Sequence, residues 1–298
     1  MHALCRIFVI FAGLNIAWPV SAEMLTLATV SNDVNKSIKA FEPLARYLER
    51  ELLSDGITKV RISVLPTSEA VTDAMSNGGV DLYIGSSIIA ARIARDGSGR
   101  PILRRWMEQS ATYHSVIVTR SDSGIETLED LRNKRLGFES PESTFGYLLA
   151  ADLIRSTGIG LQEVPSRFST PSEGNVGYVF TGAEKNTLAW IYKGWIDAAA
   201  TSPASFQRLD SAAPDDFRVI ARSMDVPSGA VVLRSGIGER IATSIEHHLV
   251  SMAETDQGRQ MLASLENTSR FDRFPKGYEV TFAPIFDLLD RLNTQGAR

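Results

Sequence analysis

Along this chain, short β-rich runs alternate with stretches in which apolar residues recur every three or four positions. Residues 24–30 (Met-Leu-Thr-Leu-Ala-Thr-Val) are rich in β-formers and run into polar Ser31-Asn32-Asp33, which predicts a strand ending at a turn. Over 38–53 the residues Phe41, Leu44, Ala45, Leu48 and Leu52 keep helical spacing, and Gly56 ends that helix. Strands follow at 60–65 and 80–84. Between them lies a helix over 68–76 with Ser68 as its N-cap, and a further helix starts at Ser87. This strand, helix, strand order predicts parallel sheets in an α/β fold.

The run Tyr-His-Ser-Val-Ile-Val-Thr-Arg at 113–120 opens a second set of alternations. It predicts helices over 127–132, 145–155 and 184–192, and strands over 135–139, 178–181, 195–200 and 218–221. The apolar run 230–234 is placed to return the chain to the first half. The final third reads as helical over 238–253 and 285–292. The long irregular stretch, 166–177, is rich in Ser, Pro, Gly and Asn and reads as a surface loop. Two α/β halves joined by paired crossings place a cleft between two lobes, a common site for a small ligand. The expected division is 23–112 with 230–298 for the first lobe and 113–229 for the second.

Residues 7–20 carry no charge and follow Arg6, and Val20-Ser21-Ala22 suits a signal peptidase, so 1–22 reads as a cleaved secretory signal with export to a periplasm. Its apolar run falls short of the ~20 residues that span a bilayer. The full chain has 31 Lys+Arg against 35 Asp+Glu. Removing the first 22 residues takes Arg6 with them and leaves 30 basic residues against 35 acidic ones, a net charge of −5. An acidic chain with scattered Lys and Arg disfavours nucleic acid as a partner. The single cysteine, Cys5, lies in the leader, so no disulfide or Cys-rich metal site is expected in the mature chain.

Candidate chemistry centres on Glu139-Ser140-Pro141-Glu142-Ser143-Thr144-Phe145-Gly146-Tyr147, between a predicted strand and a predicted helix. Hydroxyls and a glycine at a helix N-terminus offer converging donors to an oxyanion, and the same residues equally serve as ordinary caps. Gly85-Ser86-Ser87 repeats the arrangement in the first half, so two donor-bearing helix starts are expected to face one cleft. Tyr113 sits at the predicted crossover. No Gly-x-Ser-x-Gly elbow occurs, none of the seven lysines has a serine three residues before it, and there is no His-Glu-x-x-His or P-loop. Neither an enzyme nor a metal or other cofactor is expected. Trp106, Trp190 and Trp195 read as core or cleft-wall aromatics.

The chain resembles the phosphate, phosphite and phosphonate family of periplasmic solute-binding proteins that feed ABC importers. The resemblance runs from about Leu25 to Tyr278. It is carried by Phe41-Glu42-Pro43-Leu44-Ala45-Arg46-Tyr47-Leu48, Val80-Asp81-Leu82, Tyr113-His114-Ser115-Val116-Ile117-Val118 and Ser121-Asp122-Ser123-Gly124-Ile125 with Leu128-Glu129-Asp130-Leu131. Ser143-Thr144-Phe145-Gly146-Tyr147-Leu148 and Gly194-Trp195-Ile196-Asp197-Ala198-Ala199 complete it. It implies a two-lobed class II periplasmic-binding fold with hinge strands and a central cleft. It also implies that Ser143, Thr144 and the backbone of Phe145 and Gly146 hold the oxyanion, with Tyr113 at the hinge and Ser86 and Ser87 opposite.

Several positions depart from the family pattern. Phe145 stands where a second small hydroxyl residue is usual, Ser68 where relatives often carry tyrosine, and Ala183 in place of a typical histidine. Glu184 matches an acidic position that faces the ligand amine in aminophosphonate binders, while Thr201 and Ser202 replace acidic or amide residues at another cleft position. The expected partners are therefore a small oxyanion and an ABC permease. The alternative is a sensory subunit that signals to a membrane histidine kinase or cyclase.

Overall fold

The computed structural model describes residues 23–296, and the expected leader lies outside them. The first half runs β1 (Glu23–Val30), α1 (Val34–Glu51), β2 (Ile57–Leu65), α2 (Ser68–Ser76), β3 (Leu82–Gly85), α3 (Ser87–Asp96) and β4 (Gly99–Met107). The chain then crosses through β5 (Thr112–Tyr113) into β6 (Val116–Arg120), β7 (Arg135–Phe138), α4 (Leu149–Ser156), β8 (Leu161–Glu163) and β9 (Val176–Phe180). Next come α5 (Glu184–Tyr192), β10 (Ala198–Thr201), α6 (Pro203–Ala212) and β11 (Phe217–Arg222). It returns through β12 (Val226–Pro227) to β13 (Gly229–Arg234), α7 (Glu239–Ser251), α8 (Asp256–Ser264), β14 (Thr268–Arg273) and α9 (Gly277–Gly296).

Helix α1 shows how the sequence pattern becomes structure. The Asp33 carboxylate accepts the Lys36 N–H at 3.0 Å and caps the helix four residues earlier than the apolar periodicity suggested. Phe41, Leu44, Ala45 and Leu48 turn into the core, and each large side chain buried there contributes roughly 1.5–3 kcal/mol. At the far end Gly56 takes φ 92°, where a side chain would strain the turn.

The strands form two six-stranded sheets. The first has the order β14-β4-β13-β3-β1-β2 and the second β11-β6-β10-β7-β9-β8, with a two-stranded β12-β5 ribbon between them. Each sheet has a hydrophobic cluster on each face, which makes two three-layer α/β lobes. The cluster around Phe282, Ile285 and Leu288 of α9 also takes in Leu148 and Leu149 from the second lobe. Arg291 of α9 adds a two-pronged bond to Asp152 of α4 at 2.8 and 2.9 Å, so the C-terminal helix spans both lobes.

Several expectations need correction. The sheets are mixed: β1, β2 and β3 run parallel, as do β7, β8, β9 and β10, but β4, β6, β11, β13 and β14 pair antiparallel with their neighbours. Strand β4 escaped the hydrophobic pattern because Arg105, 2% exposed, points inward. Its guanidinium donates to Thr268 Oγ1, the Leu265 carbonyl and Glu266. Its partner β14 is polar apart from Phe271, and α6 and α8 also went unpredicted. The predicted helix over 127–132 is only a 3₁₀ turn at Glu129–Leu131, and the strand expected from Trp195 begins at Ala198.

Candidate functional site

Strands β2, β3, β7, β9 and β10 lead into the loops and helix starts that carry Ser68, Ser86 and Ser87, the 139–146 segment, Glu184, and Ser202. Ligand sites of open α/β sheets collect at the carboxyl ends of parallel strands, where helix N-termini and loop donors converge. Here the loops of the two lobes meet. Ser86 Oγ lies 2.8 Å from Thr144 Oγ1, and Ser68 Oγ lies 3.4 Å from Glu142 Oε1.

On the first-lobe side, Ser86 caps α3 by accepting the Ile88 N–H at 3.2 Å, and its hydroxyl still reaches across to Thr144. Ser87 is fully buried and donates to the Pro227 carbonyl at 2.7 Å, tying the start of α3 to the return crossing. Ser68 is buried but is not a cap. Thr67 accepts the Ala70 N–H and caps α2, which leaves the Ser68 hydroxyl to receive a bond from Arg92.

Tyr113 lies in the crossing ribbon, opposite Val226, and its ring meets Phe145 edge-on at 5.8 Å. Burial pushes its phenol up to about 12, although the hydroxyls of Thr144, Ser86 and Ser87 around it act to lower it. It therefore stays a neutral donor at physiological pH.

The second-lobe loop is built around a π-helical turn, Thr144–Leu148, in place of the first turn of the expected α-helix, with the Leu148 N–H bonded to the Ser143 carbonyl at 3.0 Å. Ser143 accepts the Gly146 N–H at 3.0 Å and donates to Glu139 Oε2 at 2.7 Å, so its hydroxyl is engaged within the loop. A Cβ at Gly146 would stand 2.7 Å from both Glu139 Cβ and Ser143 Oγ, which requires glycine there. The Phe145 carbonyl accepts from Ser115 Oγ at 2.6 Å and fixes the turn to β6. Thr144, 5% exposed, is the hydroxyl of this loop that reaches the other lobe.

Two carboxylates bracket the loop. Glu139 is held above the usual carboxylate range, first by burial and then by the nearby Glu184 carboxylate. The Ser143 hydroxyl, the Glu184 N–H and Lys36 oppose that shift. Glu184 sits in the first turn of α5, where its Oε1 accepts from Thr201 Oγ1 at 2.9 Å and Ser202 Oγ at 3.1 Å. Ser202 also caps α6 by accepting the Ser205 N–H at 3.2 Å. Glu184, Thr201 and Ser202 thus form one network, not three independent departures from the family pattern.

Glu139, Glu142 and Arg92 line this region; the first two lay in the candidate segment without an assigned role, and Arg92 was not a candidate. Glu139 and Glu142 were legible as flanks of the hydroxyl loop, whereas Arg92 looked like one basic residue on a helix. Trp190 and Trp195 lie beside Arg167, whose guanidinium is 5.0 and 4.0 Å from their rings, and Trp195 precedes β10 at the end of the sheet away from the cleft. Among the described residues no group of three or more His, Cys, Asp or Glu is placed to hold a metal ion, and no helix is long and apolar enough to cross a membrane.

Comparisons agree with this architecture. XAC2383 from Xanthomonas citri has been solved with chloride and with ATP, and this chain superposes on the chloride form with a TM-score of 0.84 at 24% identity, covering 91% of this chain and 99% of that one. PhnD1 from Prochlorococcus marinus in complex with methylphosphonate superposes with a TM-score of 0.69 at 16% identity, covering 92% and 99%. The phosphonates-binding periplasmic protein of Escherichia coli is 23% identical over 251 residues, 81% of this chain and 70% of that protein. The fold is the two-lobed class II periplasmic-binding fold. The family described as ABC transporter, phosphonate, periplasmic substrate-binding protein matches residues 28–276, and the chain belongs to that family.

Proposed function

We propose that the protein captures a small oxyanion of the phosphate or phosphonate type by closure of its lobes and delivers it to an ABC importer in the periplasm. The bodies that close are 23–112 with 230–298, and 113–229, hinged at the crossings that hold Tyr113 and Val226. The observation that carries the reading is the Ser86–Thr144 hydroxyl pair at 2.8 Å, which joins two helix starts from opposite lobes beside the neutral phenol of Tyr113. An oxyanion inserted between these hydroxyls accepts from both lobes at once, and closure excludes the water that would compete. Net charge opposes such a ligand, so neutral donors and helix ends supply the attraction. The methylphosphonate complex of PhnD1 supports the ligand class. The protein's role is binding without catalysis.

Isothermal calorimetry of protein stripped of carried ligand, against phosphate, phosphite, methylphosphonate and aminoethylphosphonate, tests this. Saturable binding of at least one, weakened in a Ser86→Ala/Thr144→Ala double variant, is expected. No binding to any of the four would overturn the ligand class.

A further inference from the structure

One cation reaches across the cleft beside these hydroxyls. Arg92 lies on α3, six residues beyond Ser86, and its Nη1 donates to the buried Ser68 Oγ. Opposite stands Glu142, from the loop between β7 and the π-turn of the other lobe. Its Oε2 is 3.6 Å from Arg92 Nη1, and its Oε1 is 3.4 Å from Ser68 Oγ. Both distances exceed the roughly 2.7–2.9 Å of a charge-assisted hydrogen bond. Glu142 Oε2 is buried and, although within ion-pair range of Arg92, has no hydrogen bond at all. Burying a carboxylate oxygen without a hydrogen bond is unfavourable, so an anion that fits these donors better can displace it.

Placement relative to the first anion is set by the helix. Arg92 is about 9 Å beyond Ser86 along the axis, at 1.5 Å per residue. Long side chains on a helix lean toward its N-terminus, which draws the guanidinium back toward the Ser86 end. On the facing loop, Glu142 is only two residues from Thr144.

We propose that Arg92 and Ser68 form a second anion subsite, which Glu142 occupies in the chain as it stands, and that the preferred substrate is a phosphonate or phosphate bearing a second anionic group a few bonds away. This rests on the reading that Ser86, Thr144 and Tyr113 hold the first oxyanion. The ligand's second carboxylate or phosphoryl oxygens take the bonds that Glu142 makes poorly, and Glu142 turns away to solvent.

The test compares 3-phosphonopropionate with methylphosphonate by calorimetry on wild type, Arg92→Gln and Glu142→Gln. Wild type is expected to favour phosphonopropionate. Arg92→Gln lowers that preference about ten- to hundredfold, the effect of removing a charged donor from a charged group. Glu142→Gln raises it several-fold, because the competing carboxylate is gone. Equal weakening of both ligands in Arg92→Gln would show a simple inter-lobe latch and overturn the subsite. Methylphosphonate binding without any preference in wild type overturns the subsite and leaves the first-anion reading standing. Failure to bind either ligand overturns the subsite, and the titrations with phosphate and phosphite then decide whether the first-anion reading stands.

Discussion

The two walls of the cleft use the same residue types to opposite ends. On the first-lobe wall, Ser86, Ser68 and Arg92 present hydroxyls and a cation, and the Ser86 hydroxyl keeps a hand free for the other lobe after capping its helix. On the second-lobe wall, Ser143, Thr201 and Ser202 are turned onto that wall's own carboxylates, Glu139 and Glu184. Thr144 is the hydroxyl there that escapes. A serine at a helix start is therefore open to a ligand only where no carboxylate of the same wall has claimed it. On the proposed reading, attraction for an anion comes mainly from the first lobe, and the second lobe contributes Thr144 and a restraint on charge.

This contrast makes graded predictions. The largest effect is expected from Ser86→Ala/Thr144→Ala. Hydrogen bonds to a charged group are worth about 1.5–3 kcal/mol each, so methylphosphonate affinity falls at least a hundredfold in calorimetry. A loss under about threefold would end the assignment of these two hydroxyls to the ligand. Tyr113→Phe removes one neutral donor and is expected to weaken binding about tenfold or less, without moving the ligand's pH profile below pH 9.

Glu139→Gln sharpens the account of charge. A carboxyl whose folded value lies above its ordinary 4.5 contributes stability that is fully present below that ordinary value and is lost as pH rises through the raised one. The variant should therefore melt higher than wild type at neutral pH and no higher near pH 4. Its methylphosphonate affinity should exceed wild type several-fold at neutral pH, with the advantage shrinking as pH falls. A constant difference across pH 4–8 would separate Glu139 from the site.

Ser143→Ala should change affinity least. Loss of its capping bond to Gly146 costs about 1 kcal/mol of stability, a drop of roughly 2 °C in melting temperature for a chain of this size, with affinity within about threefold. If affinity instead falls as far as for Thr144, the contrast between the walls is broken.

Much of this was readable in order of residues. The helical spacing of Phe41, Leu44 and Leu48 reports burial directly, because an exposed face has no reason to repeat every three or four residues. The loop from Glu139 to Gly146 was legible as a candidate segment because hydroxyls, glycine and a strand-to-helix boundary coincide there. Strand β4 was hidden, since its inward Arg105 is made acceptable by Thr268 and Leu265 more than 150 residues away, and such partners leave no local trace. Arg92 was hidden for the same reason: its meaning depends on Ser68 at the start of α2 and on Glu142 in a loop of the other lobe.

The acidic balance follows from composition alone, and the α/β alternation, the two crossings and the positions of the hydroxyl-bearing helix starts follow from the sequence because each depends on residues a few places apart. Tertiary structure alone decided which hydroxyls remain free. Ser143 and Thr144 are neighbours in the chain and equivalent by type, yet one is held by Glu139 and the other meets Ser86 at 2.8 Å. A hydroxyl has few bonds to give, and its partner is chosen by what the fold brings within 3 Å.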